Sequence, residues 1–191
     1  MKFIEQSDFQ VLDYIQEYIR NPFLDNVMSF VTVLGNAGAL WIMLAVLFLI
    51  LKKYRKDGFA LAVALILSTV ICNLMLKNIV CRPRPFTVNT YVNLLISPPY
   101  GYSFPSGHTC SSFAAASVLL KTAYKKISIP SLILAVLIAF SRIYLYVHFP
   151  SDVLAGAVIG IICGAAAVKI ISAIKPLQKY SFSRFQANRA I

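Results

Sequence analysis

The stretch VLAGAVIGIICGAAAVKIISAI, residues 153–174, decides the fold because it carries a single charge, Lys169, in 22 residues. A helix of about 20 apolar residues crosses the hydrocarbon core of a bilayer. Within the stretch, glycine recurs at every fourth position, at Gly156, Gly160 and Gly164. This spacing lets a neighbouring helix approach closely inside a membrane. The sequence therefore predicts a transmembrane helix packed within a bundle.

Five further apolar runs precede this stretch, at 23–34, 37–51, 59–76, 108–124 and 130–147. The chain of 191 residues is 59% hydrophobic and 13% charged, whereas soluble domains average roughly 45–50% apolar and about 25% charged residues. This composition excludes a soluble globular domain. It predicts an all-helical integral membrane protein, with a bundle of six transmembrane helices in a membrane domain at residues 22–174.

The two ends of the chain differ from the domain between them. Residues 1–21 alternate apolar and acidic side chains at helical spacing, which predicts an amphipathic helix lying at the membrane interface. Residues 175–191 are basic and polar and are expected to form a cytoplasmic tail. If the run at 23–34, which contains Asp25, does not cross, the chain has five spans. Its N-terminus then lies on the face of the 77–108 loop.

Lysine and arginine are unevenly distributed between the two sides of the predicted bundle. One side receives the clusters at 52–56 and 121–126 and the basic tail, and the other receives only Lys77, Arg82, Arg84 and Arg142. By the positive-inside rule the first side is cytoplasmic, so the 77–108 loop faces outward. The net charge of +11 follows from this topology, and no nucleic-acid-binding motif accompanies it. Nucleic acid is therefore not expected as a partner.

Three short segments converge on that outward face: 77–85 (KNIVCRPRP), 105–108 (PSGH) and 141–152 (SRIYLYVHFPSD). They bring together the chain's two histidines, its four outward cations and the single outward carboxylate of Asp152. Arginine binds phosphoryl oxygens with a planar fork, and lysine adds a compact charge. Backbone N–H groups at the start of a helix also bind anions. The set predicts a phosphate pocket built from Lys77, Arg84, Ser106, Gly107 and Arg142.

The residues available for catalysis favour covalent chemistry without a metal. A two-metal phosphatase needs several carboxylates, and the outward face offers only Asp152. The four cysteines form no CxxC pair and are expected to pack as small apolar residues. A neutral imidazole can instead attack phosphorus while a second protonates the leaving group. Because a carboxylate follows His148 by four residues, we predict His148 as nucleophile, His108 as acid, Asp152 as the orienting group and no cofactor.

The motifs Lys-x6-Arg-Pro at 77–85, Pro-Ser-Gly-His at 105–108 and Ser-Arg-x5-His-x3-Asp at 141–152 resemble those of the type 2 phosphatidic acid phosphatase family. The resemblance implies a metal-independent membrane phosphatase with a phosphohistidine intermediate on His148, an acid at His108 and the phosphate pocket given above. Arg82 is an additional cation at a variable position of the first motif. We predict that it lies at the rim of the pocket.

The resemblance further implies a lipid phosphate or diphosphate as substrate, with the active site on the extracytoplasmic side of the plasma membrane. By resemblance to bacterial members, undecaprenyl diphosphate is favoured over phosphatidic acid and phosphatidylglycerophosphate. Two alternatives remain: a phosphotransferase that uses the same phosphohistidine, and a non-catalytic transporter of lipids or anions. The aromatic residues near this face would line a groove for the lipid tail or form an interfacial belt.

Overall fold

The computed structural model describes residues 2–123, 125–174 and 181–182, and all regular elements in these ranges are helices. They are α1 (Lys2–Tyr14), α2 (Pro22–Leu34), α3 (Ala39–Ile50), α4 (Arg55–Ser68), α5 (Lys77–Val80), α6 (Pro85–Val88), α7 (Gly107–Thr122), α8 (Lys125–Tyr144) and α9 (Pro150–Ala173). Wider π-helical turns extend α1 over Ile15–Ile19 and join α4 to α5 over Thr69–Leu76. The predicted all-helical class is confirmed.

The centre of the molecule is the contact between α7 and α9. The three glycines of α9 make it possible, because a side chain at any of them would strike α7. A Cβ at Gly156 would lie 2.7 Å from the Ser106 carbonyl oxygen, and one at Gly164 would lie 2.5 Å from that of Ala114. The close helix packing predicted from the glycine spacing is confirmed. It brings the first turns of α7 and α9 side by side.

The predicted count of six spans stays a prediction, because fewer helices are long enough by themselves to cross a membrane. Three stretches are long and apolar enough to cross a membrane: Lys52–Val88, Lys125–Tyr144 and Pro150–Ala173. The helices α2 and α3, which were predicted as separate spans, are bent by only 42° at the intervening turn. Ala37 and Gly38 there have positive φ values of 51° and 67°. Among the described residues, the pair is a fourth candidate span if it crosses as one bent passage.

The N-terminal helix lies against the loops that carry the three motifs. In α1, an Asp8 carboxylate oxygen accepts a hydrogen bond from the Ser151 backbone N–H at 2.9 Å. Further along, Asp13 accepts one from the Tyr146 hydroxyl at 2.8 Å. These contacts put α1 beside the third motif, at the end of the bundle where the motifs lie.

The predicted basic tail, 175–191, lies outside the described residues except for Ser181 and Phe182. Phe182 is buried and packs with the main apolar core. The ammonium of Lys56 lies 4.8 Å from the centre of its ring, a cation–π contact. This part of the tail is therefore anchored at the end of the bundle opposite the motifs.

Candidate active site

The three motifs meet at a cavity of about 420 Å³. Its polar lining includes all the ionisable groups that the sequence predicts for phosphate binding and for attack on phosphorus, namely Lys77, Arg84, His108, Arg142 and His148. These residues come from α5, the turn before α6, the first turn of α7, the last turn of α8 and the loop before α9. Lys77 and His148, which are 71 positions apart in sequence, therefore line the same cavity.

His148 is held by contacts to both ring nitrogens. Arg84 Nη1 lies 3.1 Å from Nε2. Because an arginine N–H can only donate, Nε2 accepts this hydrogen bond with its lone pair. Nδ1 lies 3.6 Å from a carboxylate oxygen of Asp152 and 3.4 Å from the Ser103 hydroxyl. This arrangement favours the tautomer with its proton on Nδ1, which leaves Nε2 without a proton.

Asp152 is fully buried and has two structural tasks. Its Oδ2 atom accepts hydrogen bonds from the Phe149 backbone N–H at 3.0 Å and the Ser103 hydroxyl at 2.5 Å. The first of these bonds caps α9, and the same oxygen faces His148. The Asp152 carboxylate can therefore cap α9 and contact the imidazole at the same time. Ser103, which the sequence analysis did not select, supports both.

The surroundings of His148 disfavour the protonated form of its imidazole. Burial lowers the pKa of this imidazole well below its ordinary value, and the cations of Arg142, Arg84 and Lys77 lower it further. Burial opposes the charged form of a histidine, and so do neighbouring positive charges. An unprotonated nitrogen is what a nucleophile requires.

We expect His148 to remain unprotonated when the pH falls through about 6.5, the ordinary value for histidine. The chain has two histidines, so a His108→Gln variant without a purification tag leaves a single imidazole for ¹⁵N NMR. Its resonances should stay those of the neutral Nδ1–H tautomer at pH 6, and a titration midpoint near 6.5 would contradict the assignment. Because the unfolded chain takes up a proton below that pH, this residue lowers the stability of the fold as the pH falls.

The arginines are oriented by fixed acceptors. Arg84 donates to three backbone carbonyls, those of Tyr100, Gly101 and Val147, at 3.1, 2.8 and 2.9 Å. Arg142 donates from Nη1 to the Thr32 hydroxyl, whereas its buried Nε atom has no hydrogen-bond partner within the described residues. A buried, unsatisfied guanidinium N–H is costly, and an anion in the cavity would satisfy it.

The first turn of α7 supplies Gly107 and His108 to the cavity. Gly107 closely approaches the π-helical segment Thr69–Leu76, because a Cβ there would lie 2.6 Å from the Asn73 side-chain oxygen. Ser106 does not line the cavity: its backbone N–H donates to the Asp152 carbonyl at 3.1 Å, and its hydroxyl accepts from Thr109 at 2.9 Å. The structure thus gives Ser106 a supporting position behind the predicted phosphate pocket.

His108 has a partner that sequence reasoning missed. Its Nε2 atom lies 2.9 Å from the side-chain oxygen of Asn36, in the turn between α2 and α3. The sequence indicates a turn there, but nothing local shows that it closes over the cavity. A Cβ at Gly35 would lie 2.8 Å from the His108 ring, so only glycine permits this approach. Asn36 fixes the orientation of the predicted acid.

Arg82 lies elsewhere than predicted. It does not line the cavity, so the prediction of a pocket rim is corrected. Its guanidinium forms ion pairs with Asp152 Oδ1 and Asp8 Oδ2, both at 2.7 Å, and stacks on the Phe149 ring at 3.9 Å. These two buried carboxylates hold the Arg82 guanidinium behind the loop that carries His148.

A second, apolar cavity of about 360 Å³ lies between α3 and α4. It shares Ile42, Leu65 and Thr69 with the cavity described above, so the two cavities adjoin. Among the described residues, no aromatic residue of the outward face lines this cavity. Three aromatic residues near that face, Tyr144, Tyr146 and Phe149, are buried in the core.

A family model described as PAP2 superfamily matches residues 57–176. The chain belongs to this superfamily. It is 36% identical over 137 residues to undecaprenyl-diphosphatase of Sulfolobus acidocaldarius, covering 72% of this chain and 66% of the relative, just under two thirds. It is 32% identical over 156 residues to undecaprenyl-diphosphatase BcrC of Bacillus subtilis, covering 82% and 79%.

The fold agrees with a solved member of the superfamily. A transmembrane PAP2-type phosphatidylglycerolphosphate phosphatase from Bacillus subtilis superposes with a TM-score of 0.74 at 26% identity, over 92% of this chain and 89% of that one. The resemblance read from the three motifs is confirmed, and the chain is a membrane phosphatase of the PAP2 superfamily.

Proposed function

We propose that this phosphatase hydrolyses a lipid phosphate or diphosphate without a metal, through a phosphohistidine on His148. The observation that carries the proposal is one cavity lined by Arg142, Arg84, Lys77 and His148, together with a buried Arg142 Nε that has no hydrogen-bond partner among the described residues. Several cations around a neutral nucleophile suit a phosphoryl group, whose developing charge they would stabilise in the transition state. A non-catalytic transporter would leave the pairing of His148 with Asp152 unexplained.

In the proposed reaction, Nε2 of His148 attacks phosphorus and the bond from phosphorus to the leaving oxygen breaks. His108 gives that oxygen a proton, and the phosphoryl group remains on His148. A water molecule then attacks phosphorus, gives its proton to His108 and releases inorganic phosphate as the bond to Nε2 breaks. Arg84, whose N–H lies on Nε2 in the free protein, would transfer that hydrogen bond to a phosphoryl oxygen.

The apolar cavity between α3 and α4 supports a lipid as substrate. Its walls include Ile42, Val46 and Ile66, which are exposed on the outer surface of the helices. The lipid tail would lie there while the headgroup occupies the cationic cavity. We favour undecaprenyl diphosphate because the two relatives reported above carry the name undecaprenyl-diphosphatase. Phosphatidylglycerophosphate and phosphatidic acid are the nearest rivals.

We further propose that the chain crosses the plasma membrane five times, with the bent pair α2–α3 as the first passage and α7 as the third. Five passages suit an N-terminus on the face of the motifs, with α1 lying at the membrane interface. They leave the basic clusters at 52–56 and 121–126 on the cytoplasmic side, as the positive-inside rule requires. The active site then faces outward.

The proposed function is tested by phosphate release from purified protein in excess EDTA. The three substrates are undecaprenyl diphosphate, phosphatidylglycerophosphate and phosphatidic acid, each in mixed micelles. We expect release that EDTA does not reduce, fastest from undecaprenyl diphosphate. Activity that is lost in EDTA and restored by a divalent cation would overturn the metal-free mechanism. Formation of a phosphorylated lipid acceptor without free phosphate would favour the phosphotransferase.

A further inference from the structure

The N-terminal helix contributes a buried acid to the surroundings of the active site. Asp8, on α1, is only 5% exposed. Its carboxylate accepts from Arg82 at 2.7 Å, from the Ser151 backbone N–H at 2.9 Å and from the Ser151 hydroxyl at 2.5 Å. An acid is rarely buried without such partners. Asp8 therefore binds both the cation and the loop residue that adjoin Asp152.

Arg82 connects Asp8 to the group that orients the nucleophile. One of its terminal nitrogens, Nη2, binds Asp8, and the other, Nη1, binds Asp152 Oδ1 at 2.7 Å. The second oxygen of Asp152 faces His148 Nδ1. Aromatic contacts reinforce the connection, because Phe149 lies under the guanidinium and meets Phe9 of α1 edge to face at 5.2 Å. A continuous path thus runs from α1 to the imidazole.

The charges along this path alternate. Arg82 attracts the negative charge of Asp152 toward Oδ1, away from the oxygen that faces His148. Asp8 binds the same guanidinium and offsets its charge. Without Asp8, the full positive charge of Arg82 would act on Asp152, and that carboxylate would polarise the imidazole less. Asp8 does not line the cavity, so it has no direct contact with the substrate.

We propose that Asp8 is a positioning residue for the nucleophile, acting through Arg82 on Asp152 and thereby on His148. This inference rests on the proposed function, in which His148 attacks phosphorus. It makes α1 a part of the active centre as well as an interfacial helix. Groups that orient a metal ligand from behind typically contribute 10–100-fold to affinity or activity, and we expect an effect of the same order for a group that orients a nucleophile.

The test compares Asp8→Asn with the wild-type protein. We expect kcat to fall about 10-fold or more while KM stays within about twofold. The ¹⁵N resonances of His148, recorded in the His108→Gln background, should shift because the hydrogen bond from Nδ1 weakens. Asp8→Glu keeps the charge and should recover part of kcat. Glu5→Gln on the exposed side of the same helix is the matched control and should leave kcat unchanged.

The double variant Asp8→Asn/Arg82→Gln separates positioning from mere packing. The double variant lacks both the Asp8 carboxylate and the Arg82 guanidinium, so no uncompensated positive charge acts on Asp152. Its kcat should therefore exceed that of Asp8→Asn alone. A double variant whose loss is the product of the two single losses would overturn the proposal, as would a wild-type kcat in Asp8→Asn. If His148→Ala keeps activity, the proposed function itself fails, an outcome distinct from either of these.

Discussion

Replacing His148 by alanine is expected to reduce phosphate release at least about 10⁴-fold from every lipid substrate, because the atom that forms the bond to phosphorus is lost. Removing the nucleophile of a catalytic triad leaves only the contribution of binding and electrostatic stabilisation. The cavity keeps its arginines in this variant, so substrate affinity should change little. Initial rates of phosphate release and equilibrium binding of a lipid phosphate measure the two effects separately.

His108→Ala is the matched comparison for this variant. The loss of activity in His108→Ala should depend on the leaving group. A phosphate leaving from a diphosphate needs less protonation than an alkoxide leaving from a monoester. His148→Ala should lose activity equally on both. After rapid quenching in alkali, ³²P-labelled substrate should leave label on the wild-type protein and none on His148→Ala. Equal labelling of the two proteins would show that another residue is the nucleophile.

The residues nearest the chemistry could be predicted from the sequence because their spacing is fixed by local structure. His148 and Asp152 are separated by the loop and first turn that begin α9, and Gly107 and His108 begin α7. Segments of this kind keep their residues in contact wherever they occur. The glycine series of α9 is predictable for the same reason, since a four-residue repeat places small side chains on one helical face.

The supporting residues could not be predicted, because tertiary contacts bring them to the site. Asn36 and Ser103 are 72 and 45 positions from the histidines they contact, and no local pattern links them. The direction of the chain after Gly35 was likewise not encoded in the turn signal, which fits both a reversal and a 42° bend. The five-span topology proposed above depends on which of the two the turn is.

Arg82 illustrates how charge alone misleads. From the sequence, a cation two residues before Arg84 is expected to share its phosphate pocket. In the structure the two guanidiniums diverge: Arg84 is fixed by backbone carbonyls beside the cavity, and Arg82 by two buried carboxylates behind it. Asp8, one of those carboxylates, comes from a helix that the sequence assigns to the membrane surface. Its burial was therefore invisible until the fold was known.

Arg142→Gln is expected to lower kcat by about 10²–10³, the usual loss when one donor to a transition-state oxyanion is removed. Arg142 Nε is buried and has no partner in the part of the chain that the structure describes, while Nη1 is held by Thr32. Arg142 lines the cavity, so its guanidinium lies next to any anion bound there. Rates of phosphate release from one lipid substrate, measured at saturating and at limiting concentrations, give kcat and KM.

Arg142→Lys distinguishes the shape of the guanidinium from its charge. Lysine keeps the charge but lacks the planar fork, so it cannot contact Thr32 and a phosphoryl oxygen together in the same geometry. We expect Arg142→Lys to recover less than a tenth of wild-type kcat. Arg20→Gln, which removes a partly exposed cation that pairs with Asp25 and does not line the cavity, should leave kcat unchanged. A loss confined to KM in Arg142→Gln would mean that this arginine binds substrate and transition state equally, since only interactions that strengthen in the transition state raise kcat.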